Sequence, residues 1–277
     1  MEVKVEGLDF DYGDSKVLHG INLTIDRPGL TCVVGPNGVG KSTLIRCLNK
    51  LAKPSRGRVT IDGYDLQDIS PKTLAKVMGY VPVSSTDLFS LKVYDTIMMG
   101  RHPFQSFGRT TDIDDMVVKR SMKMMGIKHL AMRDFNELSA GQTQKVSLAR
   151  GLAQTPKMLI LDEPTSNLDV RHQLQVTERL RELAIKSGMI VLMISHDLNT
   201  AAKYADQVIV MSTPGIIYKV GTPCEVFTED VIRYVYGVDC TVVQDDGRPH
   251  IILKKALPDD VVRKLHESDE VFDDDVL

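Results

Sequence analysis

The chain has 277 residues, 34 Lys and Arg against 37 Asp and Glu, and a formal net charge of −3. That balance argues against a non-specific nucleic-acid binder, whose footprint is basic, while leaving room for a local basic patch, and 43% hydrophobic with 26% charged residues is ordinary for a soluble globular protein. No apolar run approaches the ~20 residues needed to cross a bilayer, and the opening Met1-Glu2-Val3-Lys4-Val5 lacks the apolar stretch of a signal peptide.

Val3, Val5 and Leu8 begin a strand that closes near Tyr12-Gly13, and Ile21, Leu23 and Ile25 alternate along a second. Residues 30–34 are apolar as in a buried strand. Next comes Gly35-Pro36-Asn37-Gly38-Val39-Gly40-Lys41-Ser42-Thr43, which fits the phosphate-loop pattern G-x-x-x-x-G-K-[ST]. A helix starts at Ser42 and runs toward Lys53-Pro54. Strand, glycine-rich turn and helix N-terminus together make an anion site. The glycines let successive N–H groups point inward, Lys41 reaches the β- and γ-phosphates, and the Ser42 hydroxyl ligates Mg²⁺. Arg58 to Ile61 runs into a hairpin turn at Asp62-Gly63, residues 71–77 form a short helix with Ser70 as N-cap, and Gly79-Tyr80-Val81 is a strand entering a loop.

From about residue 84 to 150 strand signals vanish and helices are expected near 93–99, 113–125 and 139–154. Ile113, Met116, Val117 and Met124 make the apolar stripe of the middle one, and Met116, Met122, Met124 and Met125 read as core filler. This block is a helical insertion in an α/β core. The alternation then resumes: a strand at 157–161, a helix at 170–186 with Val176, Leu180, Leu183 and Ala184 on one face and Gly188 at its end, and a strand at 189–194. A helix at 197–205 follows, then strands at 207–212 and 216–220 around Pro214-Gly215, and a capping box at Thr222-Pro223-Cys224-Glu225. A hairpin spans 242–253, and 267–275 form an acidic, solvated end. The four cysteines are far apart with no C-x-x-C, which indicates neither a zinc site nor a redox pair and suits a reducing compartment.

Two further stretches carry chemistry. Met158-Leu159-Ile160-Leu161 delivers Asp162 and Glu163 at the C-terminal end of a buried strand, where ligands of open α/β sheets bind. Asp162 can join the Mg²⁺ shell, and Glu163 can act as general base toward water. Leu138-Ser139-Ala140-Gly141-Gln142 reads as a capping box that opens a helix, with Ser139 as N-cap and Gln142 three residues on. A helix N-terminus of that kind can face a phosphate.

These motifs in this order resemble the ABC ATPase family over roughly the first 240 residues. Ser139, Ala140, Gly141 and Gln142 match its L-S-G-G-Q signature, with Ala140 for the first glycine. Tyr12 matches the aromatic that stacks on adenine, Ser166-Asn167-Leu168-Asp169 the D-loop, and His196 the switch histidine that contacts the γ-phosphate. The resemblance implies a P-loop ATPase core carrying an antiparallel β subdomain and the inserted helical subdomain, with residues 1–240 as the ATPase domain and 241–277 as a C-terminal hairpin and tail. It implies ATP and Mg²⁺ as ligands and two ATPase subunits closing head to tail. Each ATP then lies between one subunit's phosphate loop and the other's signature, with Glu163 and His196 supporting hydrolysis and Asp169 communicating across the interface. One position departs: after Tyr80-Val81-Pro82 the family's Q-loop glutamine is replaced by Val83, which cannot hydrogen-bond. Ser84 or Ser85 is the expected partial substitute, acting through a water.

Val93-Tyr94-Asp95-Thr96-Ile97-Met98-Met99-Gly100-Arg101-His102-Pro103, with Tyr236-Gly237-Val238 and Gly247-Arg248-Pro249-His250, looks like the importer ATPases for iron–siderophore, haem and cobalamin. That resemblance implies a peripheral subunit on the cytoplasmic face of the membrane. Its partners would be two membrane-spanning permease chains and, indirectly, a substrate-binding protein, with no nucleic acid. A molybdate or tungstate importer is the nearest alternative. A soluble ABC ATPase of DNA repair or translation is another, though the long coiled-coil insertion or tandem module of such proteins is missing. A nucleotide-dependent binding module with little turnover is the third, suggested by Val83.

Overall fold

The computed structural model describes residues 1–83, 91–105, 109–166 and 168–269; Ser84, Ser85, Asn167 and the acidic end from Glu270 lie outside them. In chain order the strands and helices are β1 (Val3–Tyr12), β2 (Ser15–Ile25), β3 (Gly29–Val34), α1 (Lys41–Leu48), β4 (Arg56–Ile61), β5 (Tyr64–Asp65), α2 (Pro71–Leu74), β6 (Met78–Val81), α3 (Val93–Met98), α4 (Asp112–Met125) and α5 (Ala140–Ala153). They continue as β7 (Met158–Leu161), α6 (Val170–Ser187), β8 (Ile190–Ile194), α7 (Leu198–Tyr204), β9 (Gln207–Ser212), β10 (Ile216–Gly221), α8 (Pro223–Val226), α9 (Glu229–Tyr236), β11 (Val238–Asp245), β12 (Arg248–Ala256) and α10 (Asp259–Asp269).

The central sheet has the order β10-β9-β3-β8-β7-β6. Its neighbours pair in parallel except β10, which closes one edge antiparallel to β9. All six residues of β3 are buried, as both faces of a parallel sheet require. Side-chain alternation divides them between two cores. Leu30, Cys32, Val34, Leu159, Leu161, Val191 and Met193 face the helices of the second half of the chain. Val33, Met158, Ile160, Ile190, Leu192 and Ile194 face α1 and a four-stranded antiparallel sheet of order β2-β1-β4-β5. Gly215 locks that second sheet to the central one. Its carbonyl accepts from His19 N–H at 3.0 Å, and a Cβ on it would stand 1.9 Å from the Val17 oxygen, so the approach needs glycine.

Several expectations shift. β2 begins at Ser15, six residues earlier than its alternation indicates, because register breaks near Leu8 and Phe10 interrupt the period of two. α1 stops at Leu48 rather than near Lys53, where Lys50 takes a left-handed φ of 58°. α9, unmarked in the sequence pattern, buries Val231, Ile232 and Val235. The C-terminal hairpin is longer than expected, and its two-residue turn, Asp246-Gly247, has positive φ at both positions. It rests on α7, where Asn199 exchanges hydrogen bonds with the Ile251 backbone at 2.7 and 3.1 Å. α10, also unmarked in the sequence pattern, reaches the start of the expected acidic end and is described as far as Asp269.

The stripe assigned to α4 holds at Val117 and Met124, which are half-buried against the core, and fails at Ile113 and Met116. Ile113 and Met116 are 65% and 66% exposed, and the buried face is Asp114, Val118, Ser121, Met122 and Met125. Met116 is therefore not core filler, although Met122 and Met125 are and Met124 packs half-buried against them. A buried carboxylate turns the helix: Asp114 accepts from Arg101 at 2.9 Å, and Arg101 also donates to the Ala153 carbonyl at 2.8 Å. A hydrophobic periodicity cannot register a polar residue on the inner face.

Candidate active site

The turn from β3 into α1 is built on left-handed glycines: φ is 150° at Gly35, 80° at Gly38 and 98° at Gly40. A Cβ on Gly35 would lie 2.3 Å from the Met211 carbonyl oxygen. Gly40 is the N-cap of α1 and brings no side chain, so no capping oxygen meets the first N–H groups of the helix. The backbone is thus shaped to receive an anion, with Pro36 and Asn37 on its rim and Val39 anchoring it in the core. The Lys41 ammonium lies across the loop and donates to the carbonyls of Gly35 at 2.8 Å and Pro36 at 2.7 Å. Burial pushes its pKa down, against the pull of the Glu163 and Asp162 charges. Thr43 is buried in the same first turn of α1.

β7 brings the two carboxylates to this loop. Asp162 is 2% exposed, and its N–H extends the ladder to the Val81 carbonyl at 2.9 Å. Ser42 Oγ donates to Asp162 Oδ1 at 3.0 Å, uniting the two expected metal ligands. Burial raises the Asp162 pKa, the Glu163 charge adds to the rise, and bonds from Ser42 and Tyr80 and the Arg46 charge oppose it. A cation would relieve that burial cost. One hydroxyl and one carboxylate are hard oxygen donors that suit Mg²⁺ when phosphates and water complete the shell. Among the described residues no cluster of three or more His, Cys, Asp or Glu exists, so these donors fit a metal held jointly with a nucleotide rather than a closed protein cage.

Glu163 takes a left-handed φ of 48°, a costly conformation for a residue with a side chain. The turn is held by Ser166, whose N–H and hydroxyl both donate to the Glu163 carbonyl. It carries the carboxylate to His196, whose Nε2 lies 2.5 Å from Glu163 Oε1. His196 is aimed by the end of β8, where Ser195 is buried and bonds the Asp197 carbonyl at 3.0 Å.

Tyr12 is half exposed at the end of β1, edge-on to Phe10 at 4.8 Å, which leaves a ring surface free to stack. The signature residues occupy a second locus. Ser139, Gly141 and Gln142 line a hollow of about 360 Å³ together with Lys145, Leu168, Asp169 and His172. Gln142 Oε1 accepts from Ser139 N–H at 3.1 Å, as the capping box requires. Ala140 begins α5 beside them and is exposed. Val83, half-buried just past β6, is the last described residue before the gap in which Ser84 and Ser85 fall.

Sequence reasoning missed four residues here. Arg46, one turn after Ser42 on α1, brings its positive charge near Asp162, Tyr12 and Tyr80. Tyr80 Oη donates to Asp162 Oδ2 at 3.5 Å. Tyr236, at the end of α9, has its hydroxyl close to the Gly35 backbone, and burial pushes its pKa up. His172 Nδ1 sits 2.9 and 2.8 Å from the two carboxylate oxygens of Asp169. The i, i+4 spacing of Ser42 and Arg46 was the one signal available in one dimension.

A family profile described as "ABC transporter" matches residues 18–166. The ferric enterobactin transport ATP-binding protein of Escherichia coli is 35% identical over 250 residues, 89% of this chain and 92% of its own length. The iron(3+)-hydroxamate import ATP-binding protein of Bacillus subtilis is 35% identical over 88% of this chain and 90% of its own. The cobalamin import ATP-binding protein of Halobacterium salinarum is 39% identical over 88% of this chain, which spans 61% of it. Among solved structures, a metal-chelate type ABC transporter in an inward-facing conformation superposes with a TM-score of 0.78 and 26% identity over 94% of this chain and 98% of that one. A dimeric bacterial ABC transporter cassette gives 0.70 and 26% over 79% and 98%.

Proposed function

The chain belongs to the ABC transporter family of ATP-binding subunits, and from that premise we propose that it powers the import of a metal chelate such as an iron–siderophore, haem or cobalamin. The observation that carries the ATPase reading is the meeting of three elements. α1 and the loop before it supply Lys41 and Ser42, β7 supplies Asp162 and Glu163, and β8 supplies His196; Tyr12 ends β1. The metal-chelate reading is supported by relatives whose names speak of ferric enterobactin, iron(3+)-hydroxamate and cobalamin.

In this reading residues 1–240 form the ATPase domain, with 84–150 as its helical subdomain and 241–277 appended. The loop from Gly35 to Thr43 holds the phosphates of ATP, Tyr12 stacks on the base, and Lys41 moves from its backbone carbonyls to phosphate oxygens. Ser42 and Asp162 hold Mg²⁺, which when bound supplies charge neutralisation at the phosphates. Glu163 accepts the proton of the attacking water, and His196 orients Glu163 and reaches the γ-phosphate side. Ser139, Ala140, Gly141 and Gln142 serve the nucleotide of a second subunit, with Asp169 at the junction. No described helix is long and apolar enough to span a membrane, so the partners in this reading are two permease chains that the dimer approaches from the cytoplasmic face. A substrate-binding protein delivers the cargo.

The test is co-purification of the tagged chain from gently solubilised membranes. A multi-spanning membrane protein in the eluate is the expected outcome, and its companion binding protein is then titrated with ferric chelates, cobalamin, molybdate and tungstate. Recovery of ribosomal or DNA-repair proteins alone would sink the importer reading, and a companion selective for oxyanions would replace the metal chelate as cargo.

A further inference from the structure

The C-terminal hairpin contributes no side chain to the candidate site, yet it is fastened to the helix that follows His196. That helix, α7, is held by the hairpin near both ends. At its start, Asn199 Oδ1 accepts from Ile251 N–H at 2.7 Å, and Asn199 Nδ2 donates to the Ile251 carbonyl at 3.1 Å. One amide side chain thus pairs with both main-chain groups of a β12 residue, as a neighbouring strand would. At its end, Arg248 Nη1 donates at 2.7 Å to the carbonyl of Ala205, the C-cap of α7. Asn199 and Arg248 also line a polar hollow of about 770 Å³ with Asp197, Lys203, Asp246 and His250, so this junction is held by discrete polar bonds and not by close packing alone. From α7 the bonds continue to His196. Asn199 N–H and Thr200 N–H donate to Asp197 Oδ1 at 2.9 and 3.2 Å, and Thr200 Oγ1 donates to Asp197 Oδ2 at 2.6 Å. The Asp197 carbonyl accepts from Ser195 Oγ at 3.0 Å, and Ser195 N–H donates to the Val33 carbonyl at 3.1 Å. His196 stands between those two pinned residues. Its side chain is 42% exposed, so the backbone on either side does more than packing to aim the ring at Glu163.

We propose that Asn199 and Arg248 are positioning residues that act through α7 on His196, which makes the C-terminal hairpin a brace of the hydrolytic site. α7 has only seven residues, and so short a helix gains little from its own hydrogen bonds. Its orientation is set by what it is tied to. A shift of α7 moves its N-cap Asp197, and with it the turn that carries His196. That turn tolerates little movement, since a general base and the group that orients it work only within hydrogen-bond reach. Lys41 and Ser42 bond instead to Gly35, Pro36 and Asp162, none of which belongs to this path. Loosening the brace therefore slows hydrolysis and leaves ATP binding as it was.

The brace rests on the reading of Glu163 and His196 given above, and the experiment tells the two apart. ATP hydrolysis and ATP affinity are measured on the full chain, alone and in the complex recovered from membranes. The variants are Asn199→Ala, Arg248→Met, His196→Ala and each of the first two combined with the third. Single-turnover phosphate release at high protein concentration keeps the slowest of them measurable. Asn199→Ala and Arg248→Met are each expected to lower kcat by about tenfold, within what a misplacement remote from the chemistry costs, and to leave KM and ATP affinity unchanged. Either change unpairs main-chain groups and lowers Tm whatever its role, so the deciding number is the kcat loss in the His196→Ala background. A residue that acts through His196 has nothing further to lose there. Each double variant is therefore expected at the kcat of His196→Ala while its Tm still falls. Arg248→Lys keeps a donor for the Ala205 carbonyl and should recover most of the Arg248→Met loss. Should Asn199→Ala not fold, Asn199→Asp keeps the acceptor for Ile251 N–H, removes the donor, and is expected to follow the same pattern. Single variants with the wild-type kcat overturn the brace, as do losses that multiply in the His196→Ala background, and either leaves the site reading standing. A His196→Ala chain that hydrolyses ATP at the wild-type rate overturns the reading of His196 itself, and the brace falls with it.

Discussion

At the scale of single residues, the site is assembled from groups that the fold holds at a cost. Glu163 is placed by a left-handed backbone and set against His196 at 2.5 Å. Removing its basicity while keeping its shape tests its role: Glu163→Gln is expected to lower ATP hydrolysis by at least a hundredfold, the size of a general-base contribution, and to leave ATP affinity intact. Steady-state phosphate release and equilibrium binding check the two halves. Asp162 pays differently. Burial holds its pKa above the ordinary 3.8, and the Glu163 charge adds to the rise. A raised carboxylate pKa means the folded state binds the proton more tightly. The stability it contributes is full below the unfolded value and is lost as pH rises through the folded one, so the ionised group opposes folding at neutral pH. Asp162→Asn is therefore expected to melt no lower than wild type at pH 7 without nucleotide, to flatten the dependence of Tm on pH just above 3.8, and to lose the Tm increase given by Mg²⁺ with ATP. A nucleotide-free Tm at pH 7 well below that of wild type would show that the hydrogen bonds to its oxygens outweigh its burial.

Within elements, legibility depended on whether the signal was contiguous. The phosphate loop, the Asp162-Glu163 pair and the capping box at Ser139 were readable because each is a local pattern tied to a local geometry. Tyr80 and Tyr236 were not, since their neighbours are set by the register of β6 on β7 and by the approach of the end of α9 to Gly35, and neither is written in any window of the chain. Ile113 and Met116 on α4 were misplaced for another reason. Its inner face is turned by Asp114, which pairs with Arg101 while both are about 95% buried. Thr111 and Asp114 form a capping box at the same point, so one carboxylate serves both cap and pair. Burial raises the Asp114 pKa, but the bonds from Arg101 and Thr111 outweigh it and hold it below the usual range. Its contribution is present above the unfolded pKa and lost as pH falls through the folded one. Arg101→Met leaves that carboxylate buried without its partner, which costs about 3 kcal/mol and lowers Tm by roughly 6–12 °C in a protein of this size. Urea denaturation at pH 7 measures the first figure, and a loss under about 1 kcal/mol would mean that water reaches Asp114.

For the whole molecule, the decisive feature is that the residues expected to serve one nucleotide lie at two loci. The loop, Asp162, Glu163 and His196 form one, while Ser139, Gly141, Gln142 and Asp169 line the hollow at the start of α5 and α6. If two copies close about a two-fold axis, each nucleotide meets the first locus of one copy and the second of the other, giving two equivalent composite sites. That geometry makes a prediction no single-chain site can imitate. Lys41→Ala disables the loop and spares the signature; Gly141→Asp puts a charge into the signature and spares the loop. Each variant alone should be inactive. In an equal mixture, about half the dimers are mixed, and each of these has one composite site with both faults and one with neither. Hydrolysis should therefore return to roughly one quarter of the wild-type rate per chain if the sites act independently, and to less if both must fire together. The rate should also rise with the square of total concentration where dimers are scarce, and sedimentation of the mixture with ATP gives the dimer fraction against which to scale it. A mixture as inactive as its components, at concentrations where that fraction is high, would place the whole reaction within one chain or require both sites intact. A Glu163→Gln chain mixed with wild type separates these, because a single-chain reaction loses only the share of the variant.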